Sequence, residues 1–170
     1  MVSSIIISTA VVVVTITSTM MIMLFPLANA ISSPSSSTDE AEALRSTGKE
    51  LGELSKLDFS SFPSLVELSL SDCGLNGSIP HQIGTLTQLT LLYLSSNNLT
   101  GELPLSLANL TQLEYLTLYS NRLHGSISPE IGKMKNLNIL DLGYNNLTGV
   151  IPSSFGNLTN LTYLYLDSNQ

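Results

Sequence analysis

The chain is 170 residues long and charged side chains make up 11% of it, against about 25% in an ordinary soluble domain. A net charge of -7 excludes the basic surface that nucleic acid or an anionic membrane would require. One cysteine excludes a disulfide framework within the chain and any multi-cysteine zinc site.

No charged side chain occurs before Asp39. Between Val2 and Phe25 lie apolar runs at Ile5-Ile7, Val11-Val14 and Met20-Phe25, and Ala28-Asn29-Ala30 follows with small residues where a signal peptidase cuts. Segment 1–30 is therefore read as a signal peptide, cleaved after Ala30, though without the usual Lys or Arg. Its rivals are a membrane anchor, for which 24 residues are long enough, and a soluble intracellular chain. Ser and Thr scattered from Ser3 to Thr19 dilute the apolar core, which favours the signal peptide.

Segment 31–64 reads as a linker and an incomplete cap. Ile31 to Thr38 is rich in Ser and predicts no regular structure. Ser37-Thr38-Asp39-Glu40 fits a capping box for a short helix through Ala41, Leu44 and Arg45 that ends near Gly48. Lys49 to Leu54 looks like the back half of the unit that follows, with its front half missing.

From Leu65 the sequence repeats. Leu65, Leu89, Leu113, Leu137 and Leu161 lie 24 residues apart. Counting each as position 1, position 4 holds Leu68, Leu92, Leu116, Leu140 and Leu164, and position 6 holds Leu70, Leu94, Leu118, Leu142 and Leu166. Position 9 holds Cys73, Asn97, Asn121, Asn145 and Asn169; position 13 holds Gly77, Gly101, Gly125 and Gly149. A period of this length marks a solenoid. Leucines at alternating positions mark a short strand with one buried face, and turns must stack to bury them. A buried Asn at position 9 can donate to and accept from backbone groups that lose ladder partners where the strand ends. Cys73 fits the same slot with a weaker donor. Gly at position 13 suits a turn that needs positive φ or close backbone approach.

Asn97-Asn98-Leu99-Thr100-Gly101 and Asn145-Asn146-Leu147-Thr148-Gly149-Val150-Ile151-Pro152 resemble the plant-type leucine-rich repeat almost letter for letter. The match runs over 65–170, four full repeats and part of a fifth. Departures are Cys73 for Asn, Ala108 for Gly, Met134 for Leu, and a proline one place late at Pro129. The resemblance implies an α/β fold: a right-handed leucine-rich-repeat solenoid with short parallel strands on its concave side. It also implies the extracellular region of a plant receptor-like kinase or receptor-like protein, with a co-receptor kinase as second partner. Family members usually carry a cap with a Trp and paired cysteines, and this chain has neither. The cap is read as deleted between Gly48 and Lys49, the chain as a fragment or truncated product, and both core ends as exposed.

The sequence carries few groups arranged for chemistry. His81 and His124 fall at different repeat positions without Cys, Asp or Glu at ligand spacing, so no metal site is expected. No nucleophile elbow, phosphate loop or dinucleotide fingerprint occurs, and Cys73 sits where burial makes a thiol inert. No cofactor and no catalysis are expected; the kinase domain of the resembled family is absent from this chain. N-x-S/T sequons occur at Asn76, Asn98, Asn109, Asn146, Asn157 and Asn160. A repeat rich in Asn-Leu-Thr makes sequons by consensus alone, yet in a secreted chain they are modified where exposed.

Positions 2, 3, 5, 7 and 8 are expected to face the concave side. They hold all six tyrosines, Tyr93, Tyr115, Tyr119, Tyr144, Tyr163 and Tyr165, and also Glu67, Asp72, Glu114, Asp141 and Asp167. None holds Lys or Arg. Tyr favours strands in any case, but it is also a rigid, amphipathic interface anchor. An acidic, Tyr-rich trough suits a basic peptide or protein ligand through charge pairs and cation-π contact. Two rival functions stand beside this one: a secreted inhibitor similar to the polygalacturonase-inhibiting proteins, and a truncated product without independent function.

Overall fold

The computed structural model describes residues 52–170. The signal peptide, most of the linker, the capping-box helix and the join at Gly48-Lys49 lie outside the described residues.

Each turn contributes one three-residue strand at positions 3 to 5. These are β1 (Glu67–Ser69), β3 (Leu91–Tyr93), β5 (Tyr115–Thr117), β7 (Ile139–Asp141) and β9 (Tyr163–Tyr165), which form one parallel sheet in that order. The register pairs Leu68 with Leu92, Leu92 with Leu116, Leu116 with Leu140, and Leu140 with Leu164. Equal positions pair because the 24-residue period never slips. The position-4 and position-6 leucines point into the core, so positions 3, 5 and 7 form the solvent face of the sheet.

A second set of short strands lies one bend further along each turn, where the sequence predicts only a turn. β2 (Asn76–Ser78) pairs with β4 (Asn98–Thr100), and β6 (His124–Ser126) with β8 (Asn146–Thr148). Here Gly77 pairs with Leu99 and Gly125 with Leu147, so position 13 of one turn meets position 11 of the next. Gly77, Gly101, Gly125 and Gly149 all take φ between 76° and 86°, a conformation glycine adopts without a Cβ penalty.

The return path of each turn is a 3-10 helix: His81–Thr85, Leu105–Asn109, Pro129–Lys133 and Ser153–Asn157. Every helix among the described residues is of this kind, so the helical layer of the expected class is made of single tight turns. Pro80, Pro104 and Pro152 precede three of them, where a missing N-H costs nothing. In the remaining turn the late proline becomes the first helical residue, which its fixed φ suits, and the Ser128 hydroxyl caps the helix by accepting from Glu130 N at 3.2 Å.

These helices stack tightly. A Cβ on Gly84 would come within 2.5 Å of the Ser106 carbonyl oxygen, and one on Gly132 within 2.5 Å of that of Ser154. Ile83, Leu107 and Ile131 from the helices join the strand leucines in a single continuous core.

The two ends of that core differ. Residues 52–62 fold onto the first turn: Asn76 N donates to the Gly52 carbonyl at 2.6 Å, and Leu54 and Phe59 are fully buried. Leu65, Leu68 and Leu70 are buried as well. The N-terminal core end, expected to be exposed, is therefore covered, because Leu54, Phe59 and Phe62 substitute for a preceding turn. At the other end the side chains of the last described turn are open. Leu164 on β9 is 40% exposed and Ile151 60%, whereas Ile79, Leu103 and Ile127 at the same repeat position are buried.

Candidate ligand-binding face

The sheet face is positioned by the position-9 asparagines. Asn121 Oδ1 accepts from Leu99 N at 3.0 Å, while its Nδ2 donates to the Leu94 and Leu118 carbonyls at 3.0 Å each. Asn145 repeats this with Leu123 N, Leu118 O and Leu142 O. Asn97 and Asn169 do the same one turn before and one turn after. Each amide thus bonds its own turn and the turn before it. Cys73 fills the slot in the first turn, its thiol donating to the Ser71 carbonyl at 3.4 Å. Burial first, then the nearby Asp72 charge, pushes that thiol above its ordinary pKa.

Immediately before each of these residues the backbone turns left-handed. Asp72, Ser96, Ser120, Tyr144 and Ser168 have φ of 53° to 56°, which only a few per cent of non-glycine residues adopt. The geometry ends each strand and sets the position-8 side chain at the end of the sheet face.

Across the strands, position 3 reads Glu67, Leu91, Tyr115, Ile139, Tyr163, and position 5 reads Ser69, Tyr93, Thr117, Asp141, Tyr165. Position 7 reads Ser71, Ser95, Tyr119, Gly143, Asp167, with the ladder carried on by Ser96 N to Tyr119 O, Ser120 N to Gly143 O and Tyr144 N to Asp167 O. All the residues expected on this face, Glu114 and Asp72 included, lie on the sheet strands or directly beside them. The eleven do not form one cluster. Tyr119 and Tyr144 pair with ring centroids 5.1 Å apart, and Tyr163 and Tyr165 stand parallel at 6.3 Å on one strand. Asp141 and Asp167 converge near Gly143. Glu67 and Tyr93 share the opposite end with Tyr115. Ser95 and Thr117, which the sequence does not single out, link through their hydroxyls at 2.9 Å; only the strand register reveals them.

The electrostatics are one-sided. Among the described residues, Lys56 pairs with Glu53 and Lys133 with Glu130, away from this face, and no Lys or Arg stands on it. One carboxylate oxygen of Glu67 is enclosed without a hydrogen-bond partner, and burial pushes its pKa up. Tyr93 is raised by burial, then by Tyr115 and Glu67. Asp141 is raised by burial, which outweighs the Gly143 N-H that it accepts at 3.1 Å; the Asp167 charge raises it further.

A raised carboxylate binds its proton more tightly folded than unfolded, so its charge opposes folding at neutral pH. That penalty disappears as pH falls through the raised value to the ordinary carboxylate range. Asp141→Asn keeps the acceptor for Gly143 N and is therefore expected to raise the melting temperature slightly at pH 7 and to leave it unchanged near pH 3. Thermal scans at both pH values check this.

All six sequon asparagines are exposed, whereas Asn121 and Asn145 are buried. No helix among the described residues is long and apolar enough to cross a membrane.

The leucine rich repeat family model matches residues 63–123 and 125–170, and the chain belongs to that family. No curated protein matches it. Among solved structures, it is similar to the plant peptide hormone receptor RGFR1 in complex with RGF2, at 44% identity and a TM-score of 0.64 over 65% of this chain and 18% of that one. The ectodomain of the Arabidopsis receptor kinase HAESA, bound to an extended IDA peptide hormone, gives 41% and 0.64 over 65% and 19%. That of the receptor kinase SOBIR1 from Arabidopsis thaliana gives 30% and 0.62 over 65% and 60%. The chain thus spans less than a fifth of the first two. Its similarity is to ectodomains of plant leucine-rich-repeat receptor kinases.

Proposed function

We propose that this chain is an extracellular recognition module, the N-terminal part of a plant receptor-like kinase ectodomain, that reaches the cell surface through the secretory pathway. It binds a basic peptide or protein ligand on the solvent face of the five-stranded sheet and catalyses nothing itself. The observation that carries the reading is the charge distribution: Glu67, Asp72, Glu114, Asp141 and Asp167 stand on that face with all six tyrosines and no cation. The peptide hormones bound by RGFR1 and HAESA support a peptide ligand. The BIR3–SERK2 complex from Arabidopsis thaliana, 38% identical over 61% of this chain and 56% of that one with a TM-score of 0.59, supports a co-receptor kinase as second partner. The exposed sequons are glycosylated in this reading, and none lies at a sheet-face position.

Five strands about 4.8 Å apart span roughly 19 Å. An extended ligand rising ~3.3 Å per residue touches that width with about six residues, so affinity from this piece alone is modest.

The test uses peptides selected against the chain from a displayed random 12-residue library. Selected sequences are expected to be rich in Lys and Arg, with affinity falling as salt rises. Tyr119→Ala should weaken them about tenfold at every salt concentration, a usual cost for a buried aromatic anchor. Asp141→Asn should weaken them and flatten the salt dependence. Glu102→Gln and Glu130→Gln, off the sheet face, should change nothing; if those two mattered more than Tyr119 and Asp141, the reading would fail.

A further inference from the structure

We propose that Tyr119 and Tyr144 are a site of oxidative modification, where a one-electron oxidant joins the two phenol rings by a carbon–carbon bond into a dityrosine cross-link within the chain. The modification requires no ligand on the sheet face.

These two tyrosines depart from the repeat. Tyr93, Tyr115, Tyr163 and Tyr165 lie at strand positions 3 and 5, where the β-propensity of tyrosine accounts for them. Tyr119 and Tyr144 lie beyond the ends of β5 and β7, at positions 7 and 8, and each is the only aromatic residue at its position in the five turns. Tyr144 also holds a left-handed φ of 53°, an unfavourable conformation for a bulky side chain. The other turns place Asp or Ser there. The two exceptions meet in space: their ring centroids are 5.1 Å apart, with planes tilted by 56°.

The backbone holds the pair in place. Ser120 N donates to the Gly143 carbonyl at 3.0 Å, and Asn121 N to the Tyr144 carbonyl at 3.1 Å. Tyr119 thus stands opposite Gly143, which puts no side chain of its own between the two rings. The side chains are 37% and 52% exposed, so a diffusible oxidant reaches both. Tilted rings at this distance touch through an edge, and χ2 of tyrosine is a broad torsion. The carbons beside the two hydroxyls can therefore meet without moving the backbone. Tyr163 and Tyr165 are the contrast. Parallel within 1° and 6.3 Å apart, they present faces to each other, whereas the new bond lies in the plane of each ring.

Each phenol gives up one electron and its hydroxyl proton, leaving a phenoxyl radical with spin on the ring carbons next to the oxygen. Two such carbons, one from each ring, form a single bond. The hydrogen on each bonding carbon then passes to its oxygen through solvent and restores the phenol. The chain loses two hydrogen atoms in all. Hydrogen peroxide takes them up through a haem peroxidase and becomes two molecules of water. The bond ties the third turn to the fourth beside the asparagine ladder and restrains the unfolded chain as a disulfide does.

The experiment exposes the dilute full chain to hydrogen peroxide and a haem peroxidase. The monomer is expected to gain the blue fluorescence of dityrosine and to lose the mass of two hydrogens. Trypsin cuts after Arg122, Lys133 and Lys135, so the peptide that carries Tyr119 should be recovered joined to the one that carries Tyr144. Tyr119→Phe and Tyr144→Phe keep the ring packing without the phenol, and each should lower the yield of cross-linked monomer at least tenfold. Tyr115→Phe and Tyr163→Phe should leave it unchanged. No cross-linked monomer, coupling only between chains, or an undiminished yield from Tyr119→Phe and Tyr144→Phe would overturn the proposal. A main product confined to the single tryptic peptide that holds Tyr163 and Tyr165 would overturn it as well.

Discussion

Asn121→Ala is expected to lower the melting temperature by roughly 10 °C, and Asn98→Ala by about 1 °C or less. Asn121 is 9% exposed and serves three backbone groups: Leu99 N, Leu94 O and Leu118 O. Alanine leaves Leu99 N inside the protein without a partner, while the Leu94 and Leu118 carbonyls each lose one of two amide donors and keep Asn97 Nδ2 and Asn145 Nδ2. A buried polar group without a partner costs about 1–3 kcal/mol. The two lost carbonyl bonds add to that cost, so the total is about 3 kcal/mol, and for a folded unit of this size that corresponds to roughly 10 °C. Asn98, one residue along its own turn from the ladder amide Asn97, is exposed and holds its neighbour through its backbone, Asn98 N to the Leu75 carbonyl at 2.7 Å, a bond that alanine keeps. Calorimetry on unglycosylated protein removes the effect of a sugar at Asn98. Equal shifts for the two variants would contradict a ladder that joins each turn to the one before.

The second large effect is expected from Gly132→Ala. The added methyl would meet the Ser154 carbonyl oxygen at 2.5 Å, which is backbone and cannot rotate away. The helices Pro129–Lys133 and Ser153–Asn157 must then separate, with a cost of about 2 kcal/mol, typical of overpacking. Gly156→Ala is the control. It occupies the same repeat position in the last turn, where a Cβ meets nothing within 4 Å, and alanine there should be neutral or slightly favourable. Urea titrations should show a lower midpoint for Gly132→Ala alone. The same substitution occurs naturally at Ala108, buried at 5%. Gly84 meets Ser106 and Gly132 meets Ser154, each 22 residues on; that offset directs Ala108 to Glu130, in the turn whose proline is shifted by one place.

Whatever obeys the 24-residue period was legible in the sequence. The strands, their in-register pairing, the asparagine ladder and the positive φ at Gly77 and Gly101 all follow from residues that recur at fixed positions. The lateral pairs β2–β4 and β6–β8 were not legible, because they match residues 22 apart, and an alignment in steps of 24 hides that offset. The cover over the first turn was missed for a related reason: Leu54, Phe59 and Phe62 do the work of repeat leucines without their spacing. On the candidate site, the pattern placed the six tyrosines with Glu67, Asp72, Glu114, Asp141 and Asp167 on or beside the sheet strands. It did not show which of them meet. The closeness of Asp141 to Asp167 depends on a missing side chain at Gly143, and the raised pKa of Glu67 depends on its burial; both are properties of neighbours in space.

The left-handed residues before each ladder position carry a cost that the chain could have avoided. Glycine takes φ near 55° freely, whereas a side-chain-bearing residue pays about 1–2 kcal/mol there; yet the five turns use Asp72, Ser96, Ser120, Tyr144 and Ser168. At Tyr144 the strained backbone presents a ring that is 52% exposed and packed against Tyr119. Tyr144→Gly would relax that backbone, and the greater freedom of glycine in the unfolded chain would return part of the gain. The variant should therefore melt at the same temperature as the parent or slightly above it, while losing the ring that pairs with Tyr119. Position 8 is thus the place in each turn where the side chain shown at the end of the sheet face is held at a cost to the backbone.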